Sequence, residues 1–216
     1  MHGQFTREPQ LSPLDPVKFR DPLLTAKGEL RASVTLRRLE TLWFNTGTLC
    51  NIECAHCYIE SSPRNDRLAY LTASDVSAFL DEAGGLTHRP ASIGFTGGEP
   101  LLQLDAALVE ATHAQGFAIA VETNGTQPAP PGIDWICVSP KAGTELVVRG
   151  GAELKVVYPQ PGIDLRSLES LAFTHRFVQP MDGPDRVANT EACVAFCLAH
   201  PAWRLSLQTH KLLGIP

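Results

Sequence analysis

Cys50, Cys54 and Cys57 crowd into one short stretch, with three and then two residues between them, while Cys137, Cys193 and Cys197 stand far away. Three thiolates in one tight loop fill three corners of a tetrahedral or cubane metal site and leave the fourth position open. The same trio suits a structural zinc ion, with His56 or His88 as the fourth ligand. On spacing alone both readings stand, with iron–sulfur ligation ahead. Cys193 and Cys197 lie four apart on an apolar helical stretch, and one helix face offers only two ligands. They read as core residues, and so does Cys137 in a strand-like run.

The elements that must position this loop follow from the pattern around it. Leu42-Trp43-Phe44 is a short apolar run leading into the cysteines. Thr72 predicts the cap of a helix running through Ala83, with Asp75 as the capping-box acid. Ala91–Phe95 reads as a buried strand ending at Gly97-Gly98. A helix at Leu104–Gln115 is stopped by Gly116. Strands are expected at Phe117–Glu122, Trp135–Val138, Leu154–Tyr158, Arg176–Val178 and Trp203–Leu207, with helices near Leu168–Phe173 and at Asn189–Ala199. Strands separated by helices predict an α/β fold with a parallel sheet. Six or seven strands fall short of the eight of a closed barrel, so the expected fold is an incomplete TIM-type barrel. In such folds ligands gather at the strand C-terminal ends. The polar groups Thr96-Gly97-Gly98, Glu122-Thr123-Asn124, Ser139-Pro140-Lys141 and Gln179-Pro180-Met181 fall at those ends. Residues 1–40, with Pro9, Pro13, Pro16 and Pro22, read as an extended arm that becomes helical near Leu30–Leu39, and 41–216 as the domain proper.

Composition narrows the class. The chain has 216 residues, 44% apolar and 19% charged, with a formal charge of −5 and no basic run. It is long enough to bury a core without staples. A phosphate-neutralising surface is not expected, so nucleic acid is not an expected partner. No run approaches the roughly 20 apolar residues of a membrane span. The N-terminus carries no apolar leader, so a cytoplasmic location is expected, where thiols stay reduced or hold metal.

Cys50-x3-Cys54-x2-Cys57 resembles the signature of the radical S-adenosylmethionine (SAM) superfamily. Thr96-Gly97-Gly98-Glu99-Pro100, at the end of the next strand, resembles that superfamily's glycine-rich SAM motif. The resemblance implies a radical SAM fold, a [4Fe–4S] cluster on the three cysteines, SAM at the fourth iron, and hydrogen-atom abstraction by a 5′-deoxyadenosyl radical. His56 stands where the superfamily usually places an aromatic contact to adenine.

From about Thr96 onward the chain resembles the 7-carboxy-7-deazaguanine synthase family of the queuosine pathway. The residues that carry this are Thr96 to Gln103, Glu122-Thr123-Asn124-Gly125, Ser139-Pro140-Lys141, Gln179-Pro180-Met181-Asp182-Gly183, and Ser206 to Lys211 with the terminal Gly214-Ile215-Pro216. The family is a carbon–nitrogen lyase that converts 6-carboxy-5,6,7,8-tetrahydropterin to 7-carboxy-7-deazaguanine. The resemblance implies that Gly98, Ser139, Pro140, Lys141, Gln179, Pro180, Met181 and Asp182 line SAM. It implies too that Thr96, His210 and the carboxylate of Pro216 reach the carboxypterin. A reductant such as flavodoxin or ferredoxin and a homodimer are the implied partners.

The first 95 residues depart from that family. Its Gln-Gly-Glu-Gly pterin turn does not occur, and Tyr58-Ile59 follows Cys57 where the family has Asp-Thr, whose threonine ligates Mg²⁺. Isoleucine cannot ligate a hard cation, which leaves the Mg²⁺ requirement open. Trp43 to Cys50 and Tyr58 to Pro63 instead resemble a different group of radical SAM oxidoreductases. The change of character at Phe95 to Gly98 reads as a chimera, natural or constructed, or as a divergent member of the family. The alternatives are an oxidoreductase acting on another small molecule or a peptide, and a non-catalytic zinc-binding scaffold.

Overall fold

The computed structural model describes residues 21–25, 28–31, 37–54, 57, 59–68 and 72–213, without the side chains of Ala73 and His210. They divide into two compact units, 37–207 and the two chain ends, 1–36 with 208–216.

The larger unit is one sheet of seven parallel strands in sequential order: β1 (Thr41–Asn45), β2 (Ser92–Thr96), β3 (Ala118–Thr123), β4 (Trp135–Val138), β5 (Gly150–Tyr158), β6 (Ala172–Pro180) and β7 (Arg204–Leu205). The expected α/β fold of parallel strands, one short of the eight of a closed barrel, is what forms. Helices α1 (Ala73–Gly84), α2 (Ala106–Ala114) and α3 (Arg186–Ala199) provide three of the crossovers. The α1 boundary falls where the sequence put it. Thr72 Oγ1 accepts from the Asp75 amide while Asp75 Oδ2 accepts from the Thr72 amide, so two orphan donors of the first turn are satisfied reciprocally.

Period-two alternation sorts the strand side chains onto two faces. Ile93, Phe95, Ile119 and Val121 pack with Val76, Leu80 and Val109 of α1 and α2. Val138, Leu154, Val156 and Val178 pack with Cys193 of α3 and Trp203. Each such side chain contributes about 1.5–3 kcal/mol by leaving water. By the same alternation the intervening positions Thr96, Glu122, Cys137, Lys155, Phe177 and Gln179 belong to the other face.

Several boundaries move. Pro100–Leu102 forms a separate 3₁₀ turn with Glu99 as its side-chain cap, so α2 starts at Ala106 behind the Asp105 cap rather than at Leu104. Strands β5 and β6 each run to nine residues because they pair with each other along nearly their whole length, beyond the apolar runs that marked them. The helix expected near Leu168 is a 3₁₀ turn at Ser167–Ser170, and Ala172 and Phe173 belong to β6. Strand β7 is only two residues long.

In the smaller unit, Leu24 and Leu30 form an antiparallel bridge around a turn, where a helix was expected from Leu30 onward, and α4 spans Thr209–Leu212. Residues 32–36 of that expected helix lie outside the described residues. Among the described residues no helix is long and apolar enough to cross a membrane.

Candidate functional site

The cysteine loop leaves the C-terminal end of β1 and is strapped to itself and to the next strand by backbone bonds. Cys50 N donates to Ser62 O at 3.3 Å, Ser62 N to Thr48 O at 3.2 Å, and Cys57 N to Cys54 O at 3.1 Å. Thr46 N donates to Thr96 O at 2.7 Å, and Thr46 Oγ1 to Gly97 O at 2.6 Å. Glu99 N donates to Leu49 O at 3.0 Å.

The glycine pair makes this approach possible. Gly98 has φ +55°, and a Cβ there would stand 2.1 Å from Leu49 O. Gly97 has φ +84°, and its Cβ would meet Asn45 Oδ1 at 2.1 Å. Only residues without a side chain allow the two loops to close on each other.

Cys50 is buried, while Cys54 and Cys57 are half-buried. Burial pushes the Cys50 thiol up, helped by the nearby Glu99 and Cys54 charges, and hydrogen bonds from the Ile52 backbone and Asn124 oppose it. Burial likewise pushes the Cys54 thiol up, against the pull of Lys141. Two of the three sulfurs accept hydrogen bonds: Cys57 Sγ from Ser61 N at 3.2 Å and Cys50 Sγ from Asn124 Nδ2 at 3.7 Å. Such donors are typical of cluster-ligating thiolates, whose negative charge they compensate. Among the described residues no group of three His, Cys, Asp or Glu side chains converges on a single ion position. His88, the alternative zinc ligand, is exposed in the loop after α1.

The other strands end at the same edge of the parallel sheet. Glu99 is fully buried, and its carboxylate ties β2 to β3: Oε1 accepts from Thr123 Oγ1 at 2.6 Å and Leu101 N at 3.0 Å, and Oε2 from Asn124 N at 2.8 Å. Burial raises its pKa in spite of these donors. Ser139-Pro140-Lys141 leaves β4, held by Ser139 N to Thr123 O at 2.8 Å. Lys141 Nζ donates to Ser139 Oγ at 2.8 Å and joins no ion pair among the described residues. Burial pushes this ammonium down, and the Cys54 sulfur pulls it back. A desolvated cation hydrogen-bonded to a neutral hydroxyl suits an anionic ligand group. Gln179 and Pro180 end β6. Gln179 Oε1 accepts from Ser206 Oγ at 3.3 Å, and Met181 is fixed through its backbone to Tyr158 O and Asn189 Nδ2, with Asp182 next in the chain.

Cys50, Cys54, Cys57, Thr96, Gly98, Ser139, Pro140, Lys141, Gln179, Pro180, Met181 and Asp182 therefore all lie in the larger unit at strand ends or in the loops just after them. His56 and Pro216 lie outside the described residues, as does the side chain of His210 on α4. The remaining cysteines sit elsewhere. Burial pushes the Cys137 thiol to about 12 and the Cys193 thiol to about 11, which keeps both protonated. Asn51, Thr126 and Lys155 were not marked by the sequence pattern. Lys155 Nζ meets Glu122 Oε1 at 3.0 Å. Alternation along β3 and β5 could have placed that pair on one face, since each is a charged residue that follows a buried apolar one, Val121 and Leu154.

The donor set and the glycine cradle fit the cofactors that the sequence resemblance implies, and comparison with known proteins agrees. The profile of the radical SAM superfamily matches residues 44–151. The 7-carboxy-7-deazaguanine synthase of Bordetella pertussis is 64% identical over 122 residues, 56% of this chain and 58% of its own length. That of Caulobacter vibrioides is 54% identical over 149 residues, 68% of this chain and 70% of its own length. The crystal structure of QueE from Escherichia coli superimposes with a TM-score of 0.57 at 22% identity, covering 79% of this chain and 85% of that one. The chain thus spans little more than half the length of the Bordetella synthase it matches. It belongs to the radical SAM superfamily and, within it, to the family of the 7-carboxy-7-deazaguanine synthases.

Proposed function

We propose that this chain is a radical SAM lyase that converts 6-carboxy-5,6,7,8-tetrahydropterin to 7-carboxy-7-deazaguanine. The observation that carries the reading is 54–64% identity to synthases of that name, in a chain whose cysteine loop is closed onto a glycine pair. When bound, the cluster and SAM supply a 5′-deoxyadenosyl radical that takes a hydrogen atom from the substrate. The chain's residues bind and orient. Cys50, Cys54 and Cys57 hold the cluster. Lys141, desolvated and without an ion-pair partner among the described residues, balances the methionine carboxylate. Gly98 and the Ser139–Pro140 and Pro180–Met181 turns offer SAM backbone groups. Gln179 and Asp182 hydrogen-bond the ribose hydroxyls or the adenine edge, and His56 lies against the adenine. Thr96, His210 and the Pro216 carboxylate contact the pterin, whose ring N–H donors suit an acceptor-only group. Flavodoxin or ferredoxin supplies the electron, and the reaction is cytoplasmic.

A second reading is a radical SAM oxidoreductase with a different substrate. The sequence around the cysteines favours it, since Tyr58-Ile59 replaces Asp-Thr and the Gln-Gly-Glu turn does not occur. The chain, anaerobically reconstituted, is incubated with SAM, dithionite and carboxypterin, with and without Mg²⁺. Formation of 7-carboxy-7-deazaguanine is the expected result, and its dependence on Mg²⁺ decides whether Ile59 has removed that requirement. 5′-Deoxyadenosine without the deazaguanine overturns the synthase reading and keeps the superfamily.

A further inference from the structure

The end of β3 carries a hydrogen-bonded chain that none of these roles uses. Asn124 is buried, and its Nδ2 donates to Cys50 Sγ at 3.7 Å and to Asn51 Oδ1 at 3.1 Å. Its Oδ1 accepts from Thr126 N at 2.9 Å and from Thr126 Oγ1 at 2.6 Å. The Thr126 hydroxyl in turn accepts from Asn51 Nδ2 at 2.7 Å. A flipped Asn124 amide would set its NH₂ group against the Thr126 amide N–H and its oxygen against a sulfur and an acceptor. The network therefore fixes which end of the amide faces Cys50. The backbone beneath is held as firmly, because Asn124 N donates to the buried Glu99 carboxylate, which also takes Thr123 Oγ1.

We propose that Asn124 is a positioning residue for the cluster: its amide N–H, oriented by Thr126 and anchored through Glu99, bonds the Cys50 sulfur and raises the cluster's reduction potential. The reduced cluster is the more negative one, so a donor dipole aimed at a ligating sulfur stabilises it more than the oxidised one. In a dry pocket that preference is weakly screened. The inference rests on the cluster reading and not on the synthase reading, so it holds whatever the substrate.

The test is a potentiometric titration followed by electron paramagnetic resonance, on the anaerobically reconstituted full chain, after iron and sulfide have been counted. Asn124→Ala lowers the reduced-to-oxidised ratio at a fixed poise about tenfold, equivalent to about 59 mV for one electron. Thr126→Val keeps the donor and the backbone N–H that orients it but removes the hydroxyl bond to Oδ1, and shifts the potential in the same direction by less. Thr126→Ser restores the parent value. A loaded Asn124→Ala protein at or above the parent potential overturns the proposal. If Asn124→Ala does not hold a cluster, Thr126→Val at the parent potential overturns it instead. Failure of the synthase assay with these shifts intact would count against the substrate reading alone.

Discussion

The closure of the cysteine loop against the glycine motif can be tested by adding one carbon. Gly98→Ala places a Cβ 2.1 Å from Leu49 O, 2.9 Å from Leu49 C and 3.1 Å from Gly47 O. These are backbone atoms that no rotamer change can withdraw. Carbon and carbonyl oxygen ordinarily meet at roughly 3.3 Å, so the Leu49 carbonyl must retreat by about 1 Å. That carbonyl accepts the Glu99 amide proton, and its retreat breaks a buried bond, at about 1–3 kcal/mol. The left-handed backbone at φ +55° adds about 1–2 kcal/mol for any residue with a side chain. The sum is about 2–5 kcal/mol. Gly143→Ala is the control: φ is +76°, but nothing lies within 4 Å of its Cβ, so only the backbone contribution applies. Denaturant unfolding of the two metal-free variants should differ by about 1–3 kcal/mol, or several degrees in Tm at roughly 2–4 °C per kcal/mol. Leu49 precedes Cys50, so Gly98→Ala should also bind less iron on reconstitution while Gly143→Ala keeps the parent content. Equal stabilities for the two variants, with equal iron, would refute the claim that the motif's second glycine is required by the protein's own backbone.

Replacing Cys50, Cys54 or Cys57 singly with Ala should abolish the brown colour and the cluster's iron on reconstitution, whereas Cys197→Ser should retain both; iron and sulfide analysis separates the sets. Thr72→Ala removes the side-chain half of the α1 capping box and should cost about 1 kcal/mol in denaturant unfolding, with iron binding unchanged. Asp134 accepts from Ile119 N at 2.8 Å and meets His113 Nε2 at 2.9 Å, and these bonds hold its pKa below the usual carboxylate range. A depressed folded pKa stabilises above the unfolded value and ceases to do so as pH falls through the folded one. The gap between parent and Asp134→Ala should therefore be present at neutral pH, about 0.5 kcal/mol for so solvated a group, and close below about pH 3.9. A gap that persists at acid pH would assign the loss to packing.

The elements legible in the sequence were those whose signal is local. The α1 start was readable because Thr72 and Asp75 carry their bonds within one turn. The cysteine spacing and the strand-end tripeptides were readable because residue type and position coincide. What escaped was set by partners distant in sequence. Strands β5 and β6 extend to nine residues because each supplies the other's ladder, and Gly150 and Gly151 announce no strand by themselves. The role of Glu99 escaped likewise. In the sequence it follows two glycines. In the fold it is a buried carboxylate that three donors from two further segments satisfy, and no periodicity reports that.

The same contacts explain how a chain can change its resemblance near Phe95 to Gly98 and keep one site. In sequence, Trp43 to Cys50 and Tyr58 to Pro63 resemble one group of relatives and the motifs from Thr96 onward resemble another, and the two sides are bonded across that seam. Thr46 N to Thr96 O and Glu99 N to Leu49 O join backbone to backbone, as does the whole β1–β2 ladder. Thr46 Oγ1 to Gly97 O and Gln103 Nε2 to Thr46 O each use only one side chain. Backbone groups are the same in every sequence, so these bonds make little demand on which relative supplied either side. Among the described residues, the hydrogen bonds across the seam that need a specific side chain on both sides are those of Asn51 and Cys50 with Asn124 and Thr126. If the seam joins sequences of different ancestry, adaptation of one half to the other is expected at those four residues first. Asn51→Ala should then cost more cluster stability, read as iron lost to a chelator over time, than the loss of Gln103's single bond to a backbone oxygen in Gln103→Ala.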